Sequence, residues 1–252
     1  MRSGSLAEEP VLALPQLFKE LGVDLVLLGG DFTTTSLKEE FLKAVAFVQK
    51  IESPWLAIPG NHDHYTGKSF REKHYYRYLT NVQKPSLGPF TLKEDGLEAH
   101  RIADGWWVVA LDTSVARGLT SSRGLFSEVL EGNLDKVLQL IPRTESVIVL
   151  NHYPFFQHDH HSRTLERSEA LEQLLKKHSH ARMYLHGHTH SHILADLQKN
   201  QLPLVLDSGS CAQVSKASWN LIDLDETGCT VHVYGWKEGW KKQRTEKVTW
   251  NL

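Results

Sequence analysis

Apolar and polar positions alternate along this chain in two rhythms. Short apolar runs closed by glycine or proline read as buried strands: "DLVLLGGD" at 24–31 and "WLAIP" at 55–59. Between them "SLKEEFLKAVAFVQKI" carries Leu37, Phe41, Val45 and Val48 at helical spacing, with Ser36 and Glu39 at capping-box spacing. Strand–helix–strand predicts a right-handed parallel crossover. Further strands are expected at "WWVVALDT" (106–113), "SVIVLNH" (146–152) and "ARMYLHG" (181–187). A helix near 127–141 puts Leu134, Val137, Leu138 and Ile141 on one face, with Pro142 as its stop. Another near 165–178 groups Leu171, Leu174 and Leu175 and ends in Lys176, Lys177 and His178, which suits the helix dipole. An earlier helix carries Leu14, Leu17, Phe18 and Leu21 on one face, with Gly22 as its stop. From about 200 the runs shorten and are joined by turns such as "DETG", a texture of antiparallel strands. One α/β domain over 1–252, two β layers flanked by helices, is the economical reading.

The polar clusters gather at one kind of place, the carboxyl end of a predicted buried strand. "LLGGD" delivers Asp31, "AIPGNH" delivers Asn61 and His62, "IVLNH" delivers His152, and "LHGHTH" delivers His188 and His190. In open α/β sheets ligands bind in the crevice beyond those ends. His188 and His190 are two apart, so extended backbone would turn both to one side. Carboxylate, amide oxygen and neutral imidazole suit borderline divalent ions such as Mn²⁺, Fe²⁺ or Zn²⁺. A carboxylate can bridge two such ions, the arrangement used in phosphoryl chemistry.

Bulk properties narrow the partners. With a formal charge of −2 there is no basic footprint for nucleic acid or an anionic membrane. Cys211 and Cys229 are too few for a disulfide framework or a cysteine zinc site and fit a reducing, cytoplasmic setting. "MRSGSLAEEP" has no apolar signal region, and no apolar run reaches the roughly eighteen residues of a membrane span. Histidine is the unusual component, with 15 residues bunched near the motifs. His178, His180, His186 and His192 read as surface or core histidines, His64 is unassigned, and Trp106 and Trp107 read as strand or core residues.

The series GGD, GNHD, NH and GHTH, in that order, resembles the motifs of the calcineurin-like metallophosphoesterase superfamily. It is similar in flavour to small bacterial members, including class III cyclic-nucleotide phosphodiesterases. The likeness runs from about residue 10 to the C-terminus and includes "ALDTS" (110–114), the helix around Gly132 and "WNLIDLD" near the end. It implies a four-layer αββα sandwich that acts on a small phosphorylated substrate, hydrolysing phosphomonoesters or phosphodiesters with metal-activated hydroxide. By the same resemblance Asp31 would bridge two divalent ions. Asn61, His152 and His188 would complete one metal site, and His190 would reach the other ion. His62 would be the catalytic, non-ligand histidine that protonates the leaving group, with Asp63 orienting it or its loop.

One motif departs from the pattern. The family's Asp-x-His, at the end of a first strand, has no counterpart before the helix at 14–21, so the first strand is expected to be missing and one metal site incomplete. The other literal Asp-x-His, Asp159 to His161 in "QHDHHS", sits in a loop seven residues after His152. Either the biological start lies upstream, the favoured reading, or the protein is a catalytically impaired homologue with one metal or none, acting as a binding protein. "HDHHS" and "EKHYYRY" (72–78) are the candidates for shaping the pocket.

Overall fold

The computed structural model describes residues 7–81, 85–117, 121–156, 161–213 and 216–251. The chain opens with α1 (Glu8–Leu12) and α2 (Leu14–Leu21), then runs through β1 (Val26–Leu28), α3 (Lys38–Val48) and β2 (Trp55–Ala57). Short helices α4 (Gly67–Arg71), α5 (His74–Tyr78) and α6 (Leu92–Asp95) lead into β3 (Leu97–Ala103) and β4 (Trp106–Leu111). After them come β5 (Gly124–Leu125), α7 (Glu128–Leu140), β6 (Ser146–Leu150), β7 (Leu165–Glu166), α8 (Ser168–Lys177) and β8 (Ala181–His186). The chain finishes with β9 (His192–Asp196), β10 (Leu204–Ser208), β11 (Ser218–Leu224), β12 (Gly228–Trp236) and β13 (Trp240–Thr249).

The hydrophobic rhythm accounts for the layering. Six strands pair in the order β3-β4-β6-β8-β10-β9, parallel from β4 to β10 and antiparallel at both edges. One face of this sheet, with Val109, Val147, Val149 and Val205, packs on Leu134 and Val137 of α7 and Leu171 and Leu175 of α8. The other face, with Val108, Ile148, Leu150, Met183 and Leu206, meets Leu56 and Ile58 around β2 and Val231 and Val233 of β12. Beyond that second β layer lie α2, through Leu14 and Phe18, and α3, through Phe41 and Val48. The result is the expected four-layer αββα sandwich. Alternate burial explains it, since each parallel strand is apolar on both faces and needs cover on both.

The second β layer is in two pieces among the described residues: β1 with β2, in parallel register Leu27↔Leu56, and the meander β11-β12-β13. Both pieces face the same two clusters on alternate residues. Leu25 and Leu27 share the inter-sheet core with Ile222 and Leu224. Val26 and Leu28 share the outer cluster with Trp219 and Leu221. β1 and β11 therefore lie in one layer with no strand pairing them among the described residues. The sequence expectation of an absent strand falls in this layer.

Several local expectations are corrected. α3 begins one residue late, because Glu40, not Glu39, folds back to accept the Leu37 N–H at 3.0 Å, while the Ser36 hydroxyl is engaged with the His62 carbonyl and the Tyr65 N–H. The helix expected from 165 begins at Ser168, since Leu165 and Glu166 pair with β5. Leu21 is solvent-exposed despite its helical spacing. Within 72–78, Tyr75 is fully buried beside Phe41 and Leu79, while Glu72 and Arg77 are exposed. Trp107 is buried and Trp106 packs on the inter-sheet core, as expected. Asp159 and His160 lie outside the described residues. No helix among the described residues is long and apolar enough to cross a membrane.

Candidate metal centre

The strand ends place Asp31, Asn61, His152 and His188 together. GGD and PGN cross back to back, and neither crossing glycine could carry a side chain. A Cβ on Gly30 would stand 2.6 Å from the Gly60 nitrogen, and one on Gly60 would stand 2.1 Å from Asp31 Oδ1. Asp31, His188 and His190 all hold positive φ, at 61°, 68° and 56°. Non-glycine residues adopt that region at a cost of about 1–3 kcal/mol, and such strain concentrates where function demands a particular side-chain aim.

Backbone carbonyls set the imidazole tautomers. His152 Nδ1 donates to the Gly29 carbonyl at 2.7 Å, which leaves its Nε2 facing inward. His188 Nε2 donates to the Arg163 carbonyl at 2.9 Å, which leaves its Nδ1 facing His152. Around His152 Nε2 stand Asn61 Oδ1 at 3.2 Å, His188 Nδ1 at 3.3 Å and Asp31 Oδ2 at 3.4 Å. All three are acceptor atoms, and in these tautomers the neutral His152 Nε2 is a fourth. No proton on the neutral groups reconciles them; a cation does. Their spacing also resembles the edge of a tetrahedron, about 3.4 Å, for ligands held about 2.1 Å from a metal. Among the described residues no three His, Cys, Asp or Glu side chains form a ready-made metal cage by themselves; the quartet depends on the Asn61 amide oxygen.

The electrostatics agree. Burial works against the Asp31 carboxylate, yet the neighbouring His152 charge and hydrogen bond hold its pKa below the usual range. Burial likewise opposes charge on His152, and Asp31 outweighs it, raising the imidazole pKa. Without a metal the proton on His152 plays the cation's part. Burial pushes His188 well down, aided by His152, and pushes His190 down too, so both offer neutral lone pairs. His190 stands apart from the quartet, its Nδ1 2.6 Å from the Gln213 amide nitrogen.

His62 is not in the quartet. Its Nδ1 donates to the Thr34 carbonyl at 2.7 Å, its backbone N–H donates to Asp31 Oδ1 at 2.9 Å, and its ring stacks on Tyr65. Asp63 is the clasp of the loop, accepting from the backbone N–H groups of Asp31, Gly60 and Thr33 at 2.8–2.9 Å and from the Thr33 hydroxyl at 3.1 Å. Burial and the Asp31 charge raise its pKa to about 6 against the pull of those donors. His64 is buried with Nε2 3.5 Å from Asp112 Oδ2, which also accepts from the Tyr76 hydroxyl at 2.5 Å. It braces the loop from behind. His178 and His180 bond to Asp135 and the Leu138 carbonyl, His186 lies against Asp207, and His192 bonds to Asn220.

Four contributors escaped the sequence reading: the carbonyls of Gly29 and Thr34, the Arg163 backbone and Gln213. The carbonyls leave no trace in side-chain identity. Gln213 precedes a strand 23 residues beyond His190, with no motif to mark it.

Comparison with known proteins follows this geometry. The family model for calcineurin-like phosphoesterases matches residues 9–192. A curated protein of Moraxella catarrhalis, described as a probable cyclic nucleotide phosphodiesterase, is 25% identical over 228 residues, covering 88% of this chain and 78% of its own. The crystal structure of a dimetal phosphatase from Danio rerio superposes with a TM-score of 0.75 at 16% identity, covering 96% of this chain and 89% of its own. That likeness carries the fold. The family match spans the GGD, GNHD, NH and GHTH segments, from which Asp31, Asn61, His152 and His188 meet at the sheet ends, and the chain belongs to the calcineurin-like phosphoesterase family.

Proposed function

We propose that this chain is a metal-dependent hydrolase of phosphate esters, working with two divalent ions of the Mn, Fe or Zn class. The observation that carries the reading is the convergence of three acceptor atoms on His152 Nε2, which a divalent cation satisfies. Asp31, Asn61, His152 and His188 would hold one ion, and Asp31 with His190 would contribute to the second. A bound divalent ion supplies Lewis-acid polarisation of the phosphoryl oxygens and lowers the pKa of water.

The remaining chemistry belongs to the chain. His62 is anchored through Nδ1–H to Thr34, so its Nε2 is the end available to substrate. When protonated there, it donates that proton to the leaving oxygen as the P–O bond breaks and a hydroxide oxygen, its water having already released a proton to solvent, bonds to phosphorus. The Thr34 carbonyl stabilises the cationic ring before transfer and keeps its orientation afterwards. Asp63 holds Asp31, Gly60 and Thr33 in register, so the Asp31 carboxylate and the His62 ring keep their relative positions. The Moraxella relative, described as a probable cyclic nucleotide phosphodiesterase, favours a phosphodiester substrate. A small substrate also fits the absence of a net basic charge.

The test is paired. Mn²⁺ stoichiometry is measured on the purified chain, and hydrolysis of bis(p-nitrophenyl) phosphate is followed on the same sample. One or two tightly held ions per chain with turnover, both lost in His152→Ala, are expected. A chain that holds no ion and hydrolyses nothing rejects the reading.

A further inference from the structure

His188 and His190 sit in a turn where both take left-handed backbone, at φ 68° and 56°. Such conformations persist only where the surroundings over-determine them, so whatever clamps this turn decides where the two imidazoles aim. On one side the Gly187 N–H donates to the His152 carbonyl at 3.1 Å, and the Arg163 guanidinium donates to the His188 carbonyl at 2.8 Å. Thr189, between the two histidines, is held from the other side. Its hydroxyl donates to Asp207 Oδ2 and accepts the Ser191 N–H at 3.3 Å. A hydroxyl carries one proton, and the carboxylate takes it, which fixes the Thr189 side chain.

Asp207 lies at the carboxyl end of β10, the strand beside β8, in register with His186. It follows Leu204, Val205 and Leu206 and is as buried as they are. Burial raises its pKa to about 7, against the pull of Thr189 and Gly209. A carboxylate in such a place destabilises the fold unless its oxygens are used, and both are. Oδ2 holds Thr189. Oδ1 accepts the Gly209 N–H at 2.8 Å, an Asx turn that starts the reversal out of β10. Gly209 itself takes φ 77°, where an added Cβ would stand 2.2 Å from Ser218 Oγ. The reversal leads on to Gln213, whose amide nitrogen lies 2.6 Å from His190 Nδ1. With Nδ1 occupied, His190 presents Nε2 as its free end.

We propose that Asp207 is a positioning residue for the candidate metal centre, fixing the aim of His188 through Thr189 and that of His190 through the turn that delivers Gln213. Resting on the metal-centre reading above, this gives a function to a buried carboxylate that touches no ligand atom. One oxygen holds the histidine turn at its middle, and the other begins the loop that reaches its last imidazole.

The experiment compares the native chain with Asp207→Asn, Thr189→Val and Thr189→Ser. Two-bond nitrogen–proton imidazole spectra are recorded in EDTA, with His188→Gln and His190→Gln chains assigning the two rings. In the native chain each ring is expected as one neutral tautomer, with the proton of His188 on Nε2. Asp207→Asn, which supplies one acceptor where two are needed, should bring both rings to mixed tautomers. Thr189→Val, which keeps its shape and loses the hydroxyl, should do so for His188, and Thr189→Ser should restore the native signal. Calorimetric titration of Mn²⁺ into the same chains should show affinity falling by about 10–100-fold in Asp207→Asn and Thr189→Val, the usual cost of losing a group that orients a metal ligand. Native tautomers in either of those two variants, or native Mn²⁺ affinity in both, overturn the proposal. A native chain that binds no Mn²⁺ would sink the metal-centre reading, while the spectra in EDTA still decide whether Asp207 sets the two rings.

Discussion

The Nδ1 of His62 stands 2.7 Å from the carbonyl oxygen of Thr34, 28 residues earlier in the chain. One contact settles which ring nitrogen of His62 can reach a substrate. On the proposed reading it also ties the loop at 33–37 to the general acid. His62→Ala is expected to lower kcat by about 10²–10⁴-fold, the usual range for removing a general acid. Metal content should be unchanged; equal loss of metal and turnover would make His62 a ligand instead.

Glu40 builds the loop that presents Thr34. Its carboxylate accepts the N–H groups of Thr34, Thr35 and Leu37 and the Thr35 hydroxyl, all at 3.0–3.1 Å. Glu40→Ala should release the Thr34 carbonyl and reduce kcat with little change in KM or bound metal. Glu40→Gln, which keeps one carbonyl acceptor, should recover part of the loss. A Glu40→Ala enzyme with native kcat would show that the loop holds its shape without the carboxylate.

Two glycines predict opposite outcomes for the same substitution. Gly60→Ala puts a methyl 2.1 Å from Asp31 Oδ1 and 2.6 Å from the Asp31 nitrogen, so the GGD and GNHD segments must separate. Metal binding should be lost, as seen by stoichiometry after Mn²⁺ loading. Gly132, exposed in the middle of α7, has nothing within 4 Å of its missing Cβ. Gly132→Ala should raise stability by about 0.5–1 kcal/mol in urea titration, through helix propensity and a less disordered unfolded chain.

Asp135 ties α7 to the end of α8, accepting from Lys177 at 2.8–2.9 Å and bonding to His178 at 2.6 Å. Those hydrogen bonds, with Lys177 first, lower its pKa to about 2. A depressed carboxyl pKa means that the unfolded chain binds the proton more readily. The stabilisation is therefore complete above the unfolded value near 3.9 and fades as pH falls toward about 2. Because the group is partly exposed at the surface, Asp135→Asn should cost only about 0.2–1 kcal/mol at pH 7. The difference between variant and native should vanish near pH 2; a gap that persists there would point to packing instead of charge.

The legible parts of the site share a physical cause. Asp31, Asn61, His152 and His188 each follow a run of apolar residues that can only be a strand, and each stands at a fixed short distance from a turn glycine or asparagine. Local sequence thus determines that each residue ends a strand. β3 was illegible because its buried Glu98 and His100 satisfy each other at 3.0 Å, so polar letters hide a buried strand. β9 went unread because its half-buried edge carries no strong alternation.

The order of apolar and polar residues was enough to specify the layers, the crossover from β1 to β2 and the set of strand ends that carry metal-ligand chemistry, because burial periodicity is a property of neighbours in the chain. It could not specify which strand ends meet, that three lone pairs aim at His152 Nε2, or that residues near 190, 216, 236 and 243 line one open depression. Those relations join atoms from remote segments through backbone carbonyls and packed layers. They exist only once the two sheets have closed on their shared core.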